Sequence, residues 1–168
     1  MSEKDLTLVD AIQMALESEK KAATAYSNAA ENARHKAVEG LFSGLAALEQ
    51  HHYDKLAELT ESLQKKGKYI VYEASSITIP PQSEIEIAGV ADDILSGGKA
   101  SLMDVLTMAQ SIEQQLDKQY AALAERTSDR DGKAMFEWLA KEEQGHLKLL
   151  TTVYWNLNDR GVLAWPGM

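Results

Sequence analysis

In four stretches of the chain, apolar residues recur with the 3.6-residue period of an amphipathic helix, and glycine and proline are scarce inside them. The first runs from about Thr7 to Ala33, with Val9, Ile12, Leu16, Ala23, Tyr26 and Ala30 on one stripe and Gln13, Glu17, Lys20 and Lys21 on the other face. The second, about Ala37 to Lys65, repeats the pattern through Phe42, Leu45, Leu48, Leu56, Leu59 and Leu63, and Gly67 offers a stop. A third runs from Leu102 to about Glu125, and a fourth from about Lys133 to Asp159, ending at Gly161. Residues 67–100 break the pattern with the β-leaning run Tyr69–Tyr72, Pro80-Pro81 and Gly97-Gly98, leaving room for one short helix over Ala88–Leu95. The expectation is one all-α domain over 1–168, two helical hairpins joined by a long crossover into a four-helix bundle.

Shifting the sequence against itself by 94 residues lays the second half on the first. Thr7 and Asp10 fall on Ser101 and Asp104, a hydroxyl-and-acid capping pattern at the head of each hairpin. Glu19 falls on Glu113, Tyr26 on Tyr120, Phe42 on Phe136, Glu49-Gln50 on Glu143-Gln144, and His52 on His146. Amphipathic helices share apolar positions by chance, but pairs of Glu, Tyr and His at one offset mark a duplicated hairpin. The Ser and Asp cluster at Thr127–Asp131, followed by Gly132, marks the turn of the second copy, so the first copy should turn near Arg34–Ala37. About 16 residues separate Glu19 from that turn and about 13 separate the turn from Glu49, which sets the two at nearly one height along the bundle.

Glu49-x-x-His52 and Glu143-x-x-His146 each stack a carboxylate and an imidazole on one helix face. That face is the apolar one: Leu45 and Leu56 flank Glu49, Leu139 and Leu150 flank Glu143, Ile12 and Leu16 flank Glu19, and Leu106 and Leu116 flank Glu113. Four inward carboxylates would each cost several kcal/mol in a dry core unless protonated or neutralised, and two divalent cations neutralise all four. A Glu from each of two helices plus Glu-x-x-His from each of the other two is the ligand set of dinuclear carboxylate bundles. Oxygen and imidazole donors suit iron or manganese, and also admit zinc. Glu17, Glu142 and His51 are rival ligands, but the repeat gives Glu17 and His51 no matching partner. His35 is read as a turn residue. Tyr26 and Tyr120 follow Glu19 and Glu113 by two turns, and fit either core packing or donation of a hydrogen bond to a carboxylate.

Composition narrows the chemistry further. The chain has no cysteine, which excludes disulfides, thiolate metal centres and thiol nucleophiles. Acidic residues number 26 against 17 basic ones, a formal charge of -9, so nucleic acid is not an expected partner. No apolar run reaches membrane-spanning length, and the charged N-terminus is not followed by a signal core, so a cytoplasmic protein without membrane contact is expected. Large apolar residues gather at Tyr154, Trp155 and from Val162 to Trp165-Pro166, suited to capping the bundle or to a homodimer contact.

The positions Glu19, Tyr26, Glu49-x-x-His52, Glu113 and Glu143-x-x-His146 resemble the rubrerythrin branch of the ferritin-like superfamily, over helices one to four. The resemblance implies a ferritin-like bundle, two bound iron ions, reduction of hydrogen peroxide or dioxygen, and association as a homodimer. It also implies that Glu49 and Glu143 bridge the ions, that His52 and His146 each bind one, and that Glu19 and Glu113 are terminal ligands. Relatives act instead as ferroxidases or iron stores, and a metal-stapled binding bundle without catalysis is a third possibility. Two departures stand out. The cysteine-bound rubredoxin domain that feeds electrons to the iron pair is missing, so a separate donor protein such as a rubredoxin is expected. The extra carboxylate that rubrerythrins carry one turn after the third-helix Glu is replaced by Leu116.

Overall fold

Thr7 and Asp10 close a reciprocal capping box at the head of α1 (Leu8–Glu31): the Thr7 hydroxyl accepts from the Asp10 amide at 3.1 Å, and the Asp10 carboxylate accepts from the Thr7 amide at 3.3 Å. The chain turns over 32–35 and enters α2 (Lys36–Lys66), where the His35 carbonyl accepts from the Glu39 amide. α3 (Lys99–Arg126) and α4 (Arg130–Arg160) form the second hairpin. The Asp129 carboxylate caps α4 by accepting from the Asp131 and Gly132 amides, and Gly161 ends it in the left-handed conformation at φ 64°. This computed structural model describes residues 7–66 and 99–161; no strand occurs among them. The crossover apart from Lys99 and Ala100, the run Tyr69–Tyr72, the helix expected over Ala88–Leu95, the stop at Gly67 and the tail from Val162 lie outside the described residues.

Two boundaries move from their expected places for identifiable reasons. α3 begins at Lys99, so Ser101 lies inside the helix and is no cap; Lys99 and Ala100 are both good helix formers. α4 begins three residues before Lys133 because Gly132, expected in the turn, belongs to its first turn. A β-carbon there would come within 2.6 Å of Leu8 Cδ1 and 3.1 Å of Thr127 Cγ2, so the glycine permits the close approach of α1.

Short turns make α1 antiparallel to α2 and α3 antiparallel to α4, and each pair packs along its length, with α1 also touching α3. The result is a ferritin-like four-helix bundle. One continuous core fills it, with Ile12 and Leu59 to one side of its middle and Leu41, Leu106 and Val153 to the other. The duplication persists in the packing: Tyr26 sits 6.1 Å from Phe42, and Tyr120 sits 6.5 Å from Phe136, measured between ring centroids. Val9, placed on the buried stripe by its spacing, is instead 58% exposed; Leu8, Ala11 and Ile12 take the inward positions. Polar side chains add links between helices, Ser18 to Gln119 across α1 and α3, and Gln110 to Thr151 and Gln144 to Asp117 across α3 and α4.

Candidate metal centre

Halfway along the bundle the apolar core is interrupted by Glu19 from α1, Glu49 and His52 from α2, Glu113 from α3, and Glu143 and His146 from α4. The four carboxylates and His52 have no solvent exposure, and His146 retains 3%. All six residues expected as ligands from the sequence are therefore brought together.

The imidazoles show what the cluster converges on. His52 Nδ1 lies 3.2 Å from Glu143, 3.4 Å from Glu49 and 3.6 Å from Glu19. His146 Nδ1 lies 3.1 Å from both Glu49 and Glu143 and 3.4 Å from Glu113. One ring nitrogen cannot serve three carboxylates with good hydrogen-bond geometry at once. Indeed, Glu19 Oε2, both oxygens of Glu49, Glu113 Oε2, Glu143 Oε1 and both nitrogens of His52 are buried without a hydrogen-bond partner. So many orphaned acceptors in a dry core would be severely destabilising on their own, and they fit a cation. The groups that can hold one are Glu19, Glu49, His52 and Glu143 on one side, and Glu49, Glu113, Glu143 and His146 on the other, with candidate ligand atoms in each within 4.8 Å of one another. Glu49 and Glu143 belong to both groups, which makes them the shared pair and the site dinuclear in form. The two imidazole rings stack 5.5 Å apart, tilted by only 10°.

The tyrosines cross between hairpins. Tyr26 of α1 donates to Glu113 Oε1 of α3, with the Ala109 carbonyl a second acceptor at 3.4 Å, and Tyr120 of α3 donates to Glu19 Oε1 of α1. Each phenol occupies one oxygen of a carboxylate and leaves the other, Oε2, turned toward a histidine and free to ligate. Burial and the adjacent carboxylates push both phenols far above their usual range, so they remain protonated donors.

Without metal the cluster balances its own charge. Burial raises Glu19 and Glu113 well above the carboxylate range, which favours their neutral form. Burial alone would also raise Glu49 and Glu143, but the imidazoles outweigh it and hold both below the usual value. Burial opposes protonation of His52 and His146, yet the surrounding carboxylates prevail and raise both. The directions favour two ionised carboxylates opposite two imidazoliums, an arrangement in which protons take the place of the two divalent ions.

The rival ligands stand apart: Glu17 is exposed, Glu142 and His51 are only half-buried, and none belongs to either group. Burial, with His52 and Lys55 nearby, lowers His51. Leu116 is buried among the core residues, so no additional carboxylate follows Glu113 by one turn. The sequence reading missed Trp138, whose ring meets His52 edge-on at 5.5 Å and 78° and whose buried indole N–H lacks an acceptor. Its counterpart in the first hairpin is Gly44, so a search for residues shared by the two copies passes over it.

Comparison with known proteins agrees with this geometry. A solved structure of a hypothetical protein from Pyrococcus furiosus is similar, at a TM-score of 0.62 and 25% identity, with 93% of this chain and 93% of that one covered. No protein of curated description matches the chain significantly. The model of the rubrerythrin family matches residues 10–154, which include all six clustered ligands and both tyrosines, and the chain belongs to the rubrerythrin family.

Proposed function

We propose that this protein is a non-haem di-iron oxidoreductase that reduces hydrogen peroxide or dioxygen. The observation that carries the reading is the sharing of Glu49 and Glu143 between two buried groups of ligands, each completed by one further Glu and one His. Glu19 and His52 would complete one iron position, and Glu113 and His146 the other. Manganese and zinc accept the same donors, but of these metals iron suits reduction of an O–O bond. Two ferrous ions held there would supply the two electrons that such a bond requires.

The chain's own residues have three tasks in this scheme. The apolar residues around the cluster, among them Leu45, Leu56, Leu139 and Leu150, keep bulk water out. Tyr26 and Tyr120 orient Glu113 and Glu19 by holding one oxygen of each, and remain protonated where reduction of oxygen species consumes protons. His52 and His146 surrender their protons when they ligate, which couples occupancy of the centre to pH. A separate one-electron donor protein, such as a rubredoxin, would restore the ferrous state, since the chain has no cysteine to hold an iron–sulfur site of its own. Among the described residues no helix is long and apolar enough to cross a membrane.

Stopped-flow mixing of the di-ferrous protein with hydrogen peroxide tests the reading. Oxidation much faster than that of free ferrous ion, ending when two irons per chain are spent, is expected. Oxidation at the rate of free ferrous ion would reject it. Continued oxidation and uptake of many irons per chain would identify an iron store instead.

A further inference from the structure

The ligand set obeys the internal repeat, but its surroundings do not. Glu19 pairs with Glu113, Glu49 with Glu143 and His52 with His146, while at the place beside each histidine one hairpin has Trp138 and the other Gly44. Trp138 is packed against the core and meets the His52 ring edge-on. By the same symmetry the position that would set a ring beside His146 is Gly44, which has no side chain, and among the described residues no indole is paired with the His146 ring. Burial follows the difference: His52 is 0% exposed and His146 is 3% exposed, the only one of the six ligands that solvent touches. The apolar surroundings of a metal site govern how readily water reaches it, and an ion must be met by water or a chelator before it can leave.

We propose that Trp138 closes the His52 half of the centre, and that Gly44 leaves the His146 half as the side through which divalent ions and small oxidants reach it. The two positions are then unequal despite equal ligands: an ion held by His146 exchanges quickly, and one held by His52 is trapped behind it. This rests on reading the six residues as a dinuclear metal centre.

Cobalt(II) separates the two propositions. The protein is loaded with cobalt, excess chelator is added, and loss of the cobalt d–d absorption and recovery of tryptophan fluorescence are followed together. Two phases of equal amplitude are expected, differing in rate by about tenfold or more. Fluorescence recovery should accompany the slow phase, because Trp138 adjoins the His52 ring, whereas Trp155 lies nine residues beyond His146 on α4, about 14 Å further along the helix axis. W138F should keep both phases and lose most of the fluorescence recovery. W138G, which gives the second hairpin the glycine of the first, should accelerate the slow phase until the two merge. If W138G does not fold, the wild-type phases and their fluorescence assignment still decide. Two cobalt ions leaving at one rate, or recovery in the fast phase, overturns the inference and leaves the centre itself intact. Binding of fewer than two ions overturns the centre.

Discussion

Loading the metal-free protein with two divalent ions should expel about four protons per chain near neutral pH, a figure that follows from the balance of the cluster. In the metal-free centre burial, helped by the charges of Glu49 and Glu143, raises Glu19 and Glu113 against the lowering pull of the histidines and favours their neutral form. Their ligation as carboxylates frees two protons. His52 and His146 resist burial's pull toward neutrality because carboxylates surround them, and ligation through a ring nitrogen frees two more. Glu49 and Glu143 are already ionised and contribute none. Linkage then makes the combined affinity for two ions climb by about four powers of ten per pH unit, until the empty centre begins to lose its protons unaided. Calorimetric titration with zinc or manganese in buffers of different ionisation enthalpy measures the number directly. A count near four supports the charge balance. Release of one proton or none would refute it, because the empty cluster would then already hold its carboxylates ionised and its imidazoles neutral.

Three further outcomes follow from the same geometry. In the metal-free chain, Glu19, Glu113, His52 and His146 bind protons more tightly folded than unfolded, so the stability they contribute is complete below their usual values of 4.5 and 6.5 and is lost as pH rises through the folded values. Glu49 and Glu143 act in the opposite sense, and their contribution fades as pH falls below 4.5. The Tm of the metal-free protein should therefore peak in mild acid and fall as pH rises through the raised folded values, while the metal-loaded protein holds; a metal-free Tm that climbs steadily with pH would contradict this. Glu49→Ala should abolish binding of both ions, because both groups use it, whereas Glu19→Ala should leave about one per chain, as measured by elemental analysis after dialysis. Tyr26→Phe should cost about 1–3 kcal/mol in denaturant unfolding, since it leaves Glu113 Oε1 buried with its strongest donor gone. An unchanged midpoint would mean that the phenol merely fills space.

The ligands were legible because the duplication repeats whatever both copies need. Glu19, Glu49 and His52 each recur at one offset, and helix rise brought them to one height without any structure. What differs between copies was hidden for the same reason: Trp138 opposite Gly44 is invisible to a search for agreement, although it gives the centre its asymmetry. Spacing put Tyr26 and Tyr120 near the carboxylates but could not show that each crosses to the other hairpin, since that depends on which helices face one another. Helix ends shifted where a tertiary contact overrode local signals, as at Gly132, where Leu8 packs so closely that the glycine reads as a turn and serves as a contact. Val9 illustrates the limit of periodicity at a helix terminus, where one full turn is too little to fix which side faces the core.

The account depends on two metal ions sharing Glu49 and Glu143, and anomalous diffraction from crystals soaked in ferrous iron without oxygen tests that most directly. It predicts two strong peaks about 4 Å apart inside the bundle, one beside Glu19 and His52 and the other beside Glu113 and His146. A single peak, or iron found only on the acidic surface with the six side chains unmoved, would contradict it.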